Sequence, residues 1–258
     1  MNNITALIQA RLGSTRLHGK TLMFIQEESL LGHLVKRIKA SRYVNDIVIA
    51  TTTNERDNAI VEFAKDKNLK FYRGSEDDVL DRFYQAAVLY RLETIVRVTP
   101  DCPMLDPDVM DIVISKFTEG DYDYVSNVII PTWPDGLDTE VFAFETLKKA
   151  WEEAKLPSER EHVTAYIIRH PEKFKLFNIE KKGENLSWMR WTVDTREDLE
   201  FVSEIFKRLY MPDKIFYMNE IISLLKENPK LLEINKGMVR NEGYKKSLLK
   251  DKEYEAKL

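Results

Sequence analysis

Short apolar runs that give way to longer stretches of helical spacing recur through the first half of this chain, and few folds accept that rhythm. Ile4-Thr5-Ala6-Leu7-Ile8 reads as a buried strand. Ile47-Val48-Ile49-Ala50 leads into TTTNERDNAIVEFAKDKN, and Lys70-Phe71-Tyr72 into GSEDDVLDRFYQAAVLYRL, each a strand followed by a helix. Thr94-Ile95-Val96-Arg97-Val98 opens another such unit, in which Asp106 can cap the helix and Pro107 takes its first position, where no amide hydrogen is needed. The pattern predicts βα units, hence an α/β domain.

Tyr122-Asp123-Tyr124-Val125 and Thr139-Glu140-Val141-Phe142-Ala143-Phe144 are further strand candidates, separated by the turn-rich PTWPDGLD. In LPSEREHVTAYIIRH, Ser158 stands three places before Glu161, the spacing of a reciprocal helix cap. RWTVDTREDLEFVSEIF repeats the strand-to-helix transition. With 258 residues and 43% hydrophobic content the chain can bury a sizeable core, and one principal domain, residues 1–227, is expected. From about Asn228 the apolar spacing fades into a charged extension, residues 228–258, whose alternatives are a cover over a site, a dimer contact or a mobile tail.

A net charge of −4 disfavours a generic nucleic-acid coat, and the single cysteine, Cys102, excludes an internal disulfide and a Cys-rich zinc site. Cys102 reads as a small packing residue. The N-terminus lacks the order of a signal peptide, and no apolar run approaches the ~20 residues of a membrane helix. A cytoplasmic, soluble protein with no membrane insertion is the expectation.

The first strand runs into QARLGSTRLHGK, residues 9–20. Two glycines ahead of Lys-Thr bring a P-loop to mind, but Gly13 and Gly19 enclose five residues where that motif has four. Arg11, Arg16 and Lys20 instead bracket small residues, Gly13 and Ser14 among them. Such a loop can cradle a triphosphate through backbone amides and cationic side chains; the alternative is a solvated basic turn.

Taken together, QARLGSTRLHGK, GSEDDVLDRFYQA, VTPDCPMLDP, PDGLDTEVF, REHVTAYI and RWTVDTREDLEFV resemble the SpsF-like branch of the cytidylyltransferases, related to CMP-sialic-acid and CMP-Kdo synthetases. The resemblance spans residues 4 to 202. It implies a Rossmann-like nucleotidyltransferase fold, with a mixed, mostly parallel sheet flanked by helices. It further implies CTP at the strand ends, a nearby anionic acceptor such as an acidic sugar, a Mg2+ cofactor, and a homodimer. His18 stands where the related loop commonly has proline, and Pro100 where glycine commonly precedes the aspartate.

On this basis Arg11, Lys20 and Asp101 are the catalytic candidates, with Arg11, Gly13, Ser14, Arg16, Lys20, Asp78 and Arg82 at the nucleotide. Asp101 and Asp194 each follow a predicted strand, so neighbouring strands can bring both to one sheet edge as oxygen ligands for Mg2+. Asp78 has an alternative as a helix cap, and Arg82 as its partner one turn away. Asp135, Asp138 and Glu140, gathered around Gly136, and Arg160 and His162 are the acceptor candidates; a hydrated turn and a helix surface are the alternatives. Two other classes stay open: a nucleotide-sugar glycosyltransferase, and a non-catalytic nucleotide-binding homologue, which Pro100 raises.

Overall fold

Ile4–Gln9 (β1) is buried along almost its whole length, and a strand with no polar face must lie inside a sheet covered on both sides. The computed structural model, which describes residues 3–238, 240 and 242–256, places it there. A small antiparallel hairpin follows, Phe24–Ile25 (β2) with Glu28–Ser29 (β3). Then come Leu30–Ile38 (α1), Asp46–Thr52 (β4), Asn58–Asp66 (α2), Lys70–Gly74 (β5), Val79–Tyr90 (α3), Thr94–Val98 (β6) and Pro107–Glu119 (α4). The second half contributes Tyr124–Ser126 (β7), Glu140–Ala143 (β8), Phe144–Glu153 (α5), Pro157–Glu161 (α6), Ala165–Arg169 (α7), Leu176–Asn178 (β9), Arg196–Leu209 (α8), Met218–Glu227 (α9) and Glu242–Glu255 (α10).

Seven strands form one sheet in the order β5-β4-β1-β6-β8-β7-β9, with β8 antiparallel to both neighbours and the other pairings parallel. This is the mixed, mostly parallel sheet expected. The chain moves outward from β1 to β4 and β5, then returns to the other side of β1 with β6. The carboxyl ends of β1 and β6 therefore flank a topological switch point, where open α/β sheets bind ligands.

Helices α1, α2 and α4 pack on one face of the sheet through Leu31, Leu34, Ile60, Met110 and Val113. Helices α3, α5 and α7 cover the other, with Phe83, Leu147 and Ile167 against Leu7, Ile95 and Phe142. A third cluster joins the β2–β3 hairpin to Trp191, α8 and α9, and includes Leu231 from the 3-10 turn Pro229–Glu233. Helix α10 packs against α6. No helix among the described residues is long and apolar enough to cross a membrane.

The expected caps of α4 hold: Asp106 accepts from the amides of Asp108 and Val109, at 2.9 and 3.3 Å, with Pro107 in the first turn. Two local expectations differ. Helix α6 begins at Pro157, so Glu159, not Glu161, reaches back to the Leu156 amide at 3.1 Å, and Ser158 turns to Asp251 instead. The RWTVD segment is not a sheet strand: only a single bridge links Arg190 to Asp135. It crosses the strand ends, where the Trp191 and Val193 amides donate to the carbonyls of Asp135 and Asp101 at 2.6 and 2.8 Å.

Candidate active site

The loop leaving β1 makes its last turn at Gly19, whose φ of +68° lies in the left-handed region that glycine adopts without strain. This turn feeds Lys20 inward until its side chain is 9% exposed. An ammonium so buried needs partners. It has three: Nζ donates to Asp101 Oδ2 at 2.9 Å, to Asp194 Oδ1 at 2.7 Å and to the Val193 carbonyl at 2.7 Å. Asp101 lies in the loop after β6. Asp194 arrives with the crossing segment rather than from an adjacent strand, because Val193 and Thr192 hydrogen bond to the Asp101 carbonyl.

A second cation organises the same corner. Arg190 donates through Nη1 to Asp135 at 2.8 Å, through Nη2 to Asp194 at 2.8 Å, and through Nε to Asp198 at 2.9 Å. Asp198 is fully buried and also closes the N-terminal cap of α8 with Thr195. Gly136 makes this crossing possible: at φ +114°, a Cβ there would stand 2.8 Å from the Trp191 carbonyl carbon and 2.9 Å from the Thr192 nitrogen. Arg240 reaches Asp138 at 2.6 Å, and Arg16 bridges Asp194 and Glu242, each at 2.9 Å.

These groups open onto a cavity of about 420 Å3 that takes in Arg97, Asp135, Asp138, Glu140 and His162. Burial alone would raise the Asp101 carboxyl, yet Lys20, helped by the Thr99 hydroxyl, holds it at about 2. Burial also opposes the charge on Lys20, but Asp101 and Asp194 keep its pKa above that of ordinary lysine. Asp138 goes the other way: burial, reinforced by Asp135, outweighs Arg240 and pushes it up to about 7. Burial lowers His162 to about 4, against the pull of Glu161, so its imidazole is neutral at pH 7.

Of the residues singled out in the sequence, Arg16, Lys20, Asp101 and Asp194 meet in one network, and Asp135, Asp138, Glu140 and His162 line the same cavity. Glu140 is held by Arg97, the Tyr124 hydroxyl and the Thr164 hydroxyl, the last two at 2.6 Å. His162 Nε2 pairs with Ser247 Oγ at 2.9 Å. Arg11 faces Glu76 at 3.6 Å, beside Gly13, and the Ser14 hydroxyl accepts from the Leu17 amide at 3.5 Å. Asp78 caps α3 through the Asp81 amide at 2.9 Å and pairs with Arg160 at 2.6 Å, and neither is among the residues that line this cavity. Arg82 is buried and donates to the Ser75 and Glu76 carbonyls instead of pairing with Asp78. Trp191 is fully buried, whereas Trp188 is 60% exposed.

Sequence reasoning did not single out Arg190, Arg240, Arg97 or Glu242. Arg190 carried one signal, its placement four residues before Asp194 and eight before Asp198. Among the described residues no group of three or more His, Cys, Asp or Glu forms a ready metal cage. Asp101 and Asp194 nonetheless converge on the Lys20 ammonium at the wall of the cavity, where Asp101 Oδ1 stands 3.6 Å from the Cys102 thiol. Two hard carboxylates with space beside them fit Mg2+, which commonly takes one or two carboxylates and completes its shell with phosphate oxygens and water.

Comparison with known proteins adds an independent line. Residues 5–233 match the family model described as Cytidylyltransferase. The chain is 39% identical over 248 residues to an uncharacterized protein of Methanocaldococcus jannaschii, covering 94% of this chain and 98% of that one. It is 34% identical over 238 residues to the spore coat polysaccharide biosynthesis protein SpsF of Bacillus subtilis, 89% of this chain and 96% of that protein. A shorter match, 31% over 117 residues and 45% and 46% of the two chains, is to a 3-deoxy-manno-octulosonate cytidylyltransferase of Geobacter sulfurreducens. The solved structure of a cytidylyltransferase from Leptospira borgpetersenii superposes with a TM-score of 0.86 at 32% identity, covering 93% of this chain and all of that one.

Proposed function

We propose, because this chain belongs to the cytidylyltransferase family, that it transfers CMP from CTP to an acidic sugar or a related anionic acceptor and releases pyrophosphate. An acceptor oxygen attacks the α-phosphorus of CTP, the bond from that phosphorus to the bridging oxygen breaks, and the electron pair leaves with pyrophosphate. No covalent enzyme intermediate is needed.

The observation that carries this reading is Lys20, buried between Asp101 and Asp194 at the switch point of the sheet and beside the cavity. Lys20 and Arg16 supply positive charge where the triphosphate lies, and Arg11 and the loop amides extend that charge outward. Asp101 and Asp194 would hold Mg2+, with Arg190 fixing the orientation of Asp194. Bound there, Mg2+ supplies Lewis-acid polarisation of the phosphoryl group and neutralises the departing charge. On the acceptor side, Asp135, Asp138 and Glu140 meet sugar hydroxyls, and Asp138, held at about 7 by burial, can take up the proton of an attacking hydroxyl.

The family, and the similarity to a spore coat polysaccharide biosynthesis protein, support a place in glycoconjugate synthesis. The test is pyrophosphate release with CTP, UTP, GTP and ATP, each paired with 3-deoxy-manno-octulosonate, N-acetylneuraminate, a phosphonate or a sugar phosphate. Activity confined to CTP is expected. Equal turnover of all four triphosphates, or exclusive use of UTP, rejects the assignment in favour of another nucleotide chemistry.

A further inference from the structure

We infer that Glu242, in the first turn of the C-terminal helix, is a positioning residue of the active site that acts on the nucleotide through Arg16. The inference rests on the CTP-dependent reading above. Arg16 offers Nη2 to Asp194 and Nη1 to Glu242, both at 2.9 Å, so one guanidinium joins the Lys20–Asp101–Asp194 centre to the far end of the chain. Glu242, Gly243 and Tyr244 line the cavity on that side.

Helix α10 is not held there by an apolar stripe. Its buried positions are Ser247 and Asp251, and each is spoken for. Asp251 accepts the Ser158 amide at 2.8 Å and the Ser158 hydroxyl at 2.5 Å, at the start of α6, with Arg169 at 3.4 Å. Ser247 meets His162 and Glu161, each at 2.9 Å, and the Tyr244 hydroxyl accepts from Arg169 Nε at 3.0 Å. Directional polar contacts of this kind fix the register of a helix, which a greasy face does not, and so fix where Glu242 stands.

A carboxylate and a phosphate compete for the same face of a guanidinium. Glu242 therefore holds Arg16 in reach of the triphosphate while limiting the affinity that Arg16 gives it. When phosphate oxygens displace Glu242, the released carboxylate sits one and two residues from Gly243 and Tyr244, which links nucleotide occupancy to the wall of the cavity that α10 supplies.

The experiment is calorimetric binding of CTP with Mg2+ to the full chain and to Glu242→Gln, Arg16→Ala and the double variant, with Lys245→Gln, an exposed position on the same helix, as control. Thermal melts check that each variant is folded. Glu242→Gln is expected to tighten CTP binding about threefold or more, and to change it by less than about 1.5-fold once Arg16 is gone, the sign of a coupled pair. The control is expected to bind as the parent does. Unchanged or weaker binding in Glu242→Gln overturns the inference. So does full tightening in the Arg16→Ala background, which would make Glu242 a general charge rather than a partner of Arg16. A parent chain that binds none of CTP, UTP, GTP and ATP overturns the functional reading, and this inference with it.

Discussion

Lys20 Nζ stands 2.9 Å from Asp101 Oδ2 inside the protein, and the same ammonium meets Asp194 at 2.7 Å. Deleting one side of a buried ion pair leaves the other charge unscreened, which costs roughly 3 kcal/mol. Lys20→Ala is therefore expected to lose about that much stability in urea unfolding, together with nearly all pyrophosphate release. Lys20→Arg should recover part of the activity, since its planar head carries the charge but cannot occupy the same compact point. A stable, fully active Lys20→Ala would remove this residue from both roles.

Arg190 ties Asp135, Asp194 and Asp198 together from a position 8% exposed at the side chain. Arg190→Lys keeps the charge but supplies one point where three carboxylates need a fork, so a loss of about 2 kcal/mol and a tenfold or greater fall in turnover are expected. Chemical unfolding and initial rates measure the two effects. Neutral behaviour in both would show that the carboxylates orient themselves.

Acid sensitivity follows from Asp101. Its folded pKa of about 2 lies below the unfolded value of about 3.9, so its ionised form contributes stability above pH 4 that is lost as pH falls through 4 towards 2. Asp101→Asn should flatten the stability profile in that window. Urea unfolding between pH 2.5 and pH 6, with each step about half a unit, resolves the difference. Identical slopes in parent and variant contradict the pairing.

His162 is expected to stay neutral across the physiological range because burial depresses it to about 4. NMR titration of its ring protons should show no transition between pH 5.5 and pH 8, where an ordinary histidine titrates near 6.5. A midpoint near 6.5 would mean that the imidazole is not enclosed by Ser247 and Tyr244 as found.

Much of the frame was legible in the sequence because β1, β4 and β6 are buried on both faces and therefore read as unbroken apolar runs. The basic loop was legible for the same reason: it begins where such a run stops. Asp101 and Asp194 were visible as a pair of acids, but the route that joins them was not, since Asp194 sits on a segment that crosses the strand ends and alternates like a strand without pairing as one. The pairing of Arg160 with Asp78 was not legible from their motifs, because it depends on the packing of α3 against α6. Arg190 offered only its spacing to Asp194 and Asp198, and its fork across Asp135 depends on the chain crossing the strand ends. No periodicity connects Glu242 to Arg16, because the contact exists only after α10 docks on α6. Asn241, in the Asn-Glu-Gly-Tyr stretch of the charged extension, lies outside the described residues.

Metal dependence tests the two aspartates separately from the fold. Asp101→Asn and Asp194→Asn each remove one hard anionic ligand at nearly constant size, so pyrophosphate release is expected to need about tenfold more Mg2+ or to fail at saturation. Circular dichroism confirms folding. An unchanged Mg2+ response in both variants would place the cation elsewhere.

Mass analysis of the product decides whether CMP itself is transferred. With CTP labelled by 18O at the bridge between the α- and β-phosphorus, the acceptor is expected to gain CMP and the pyrophosphate to carry all of the bridge label. Label retained on the acceptor product, or an acceptor that gains a hexose or a lone phosphate instead of CMP, would contradict this transfer.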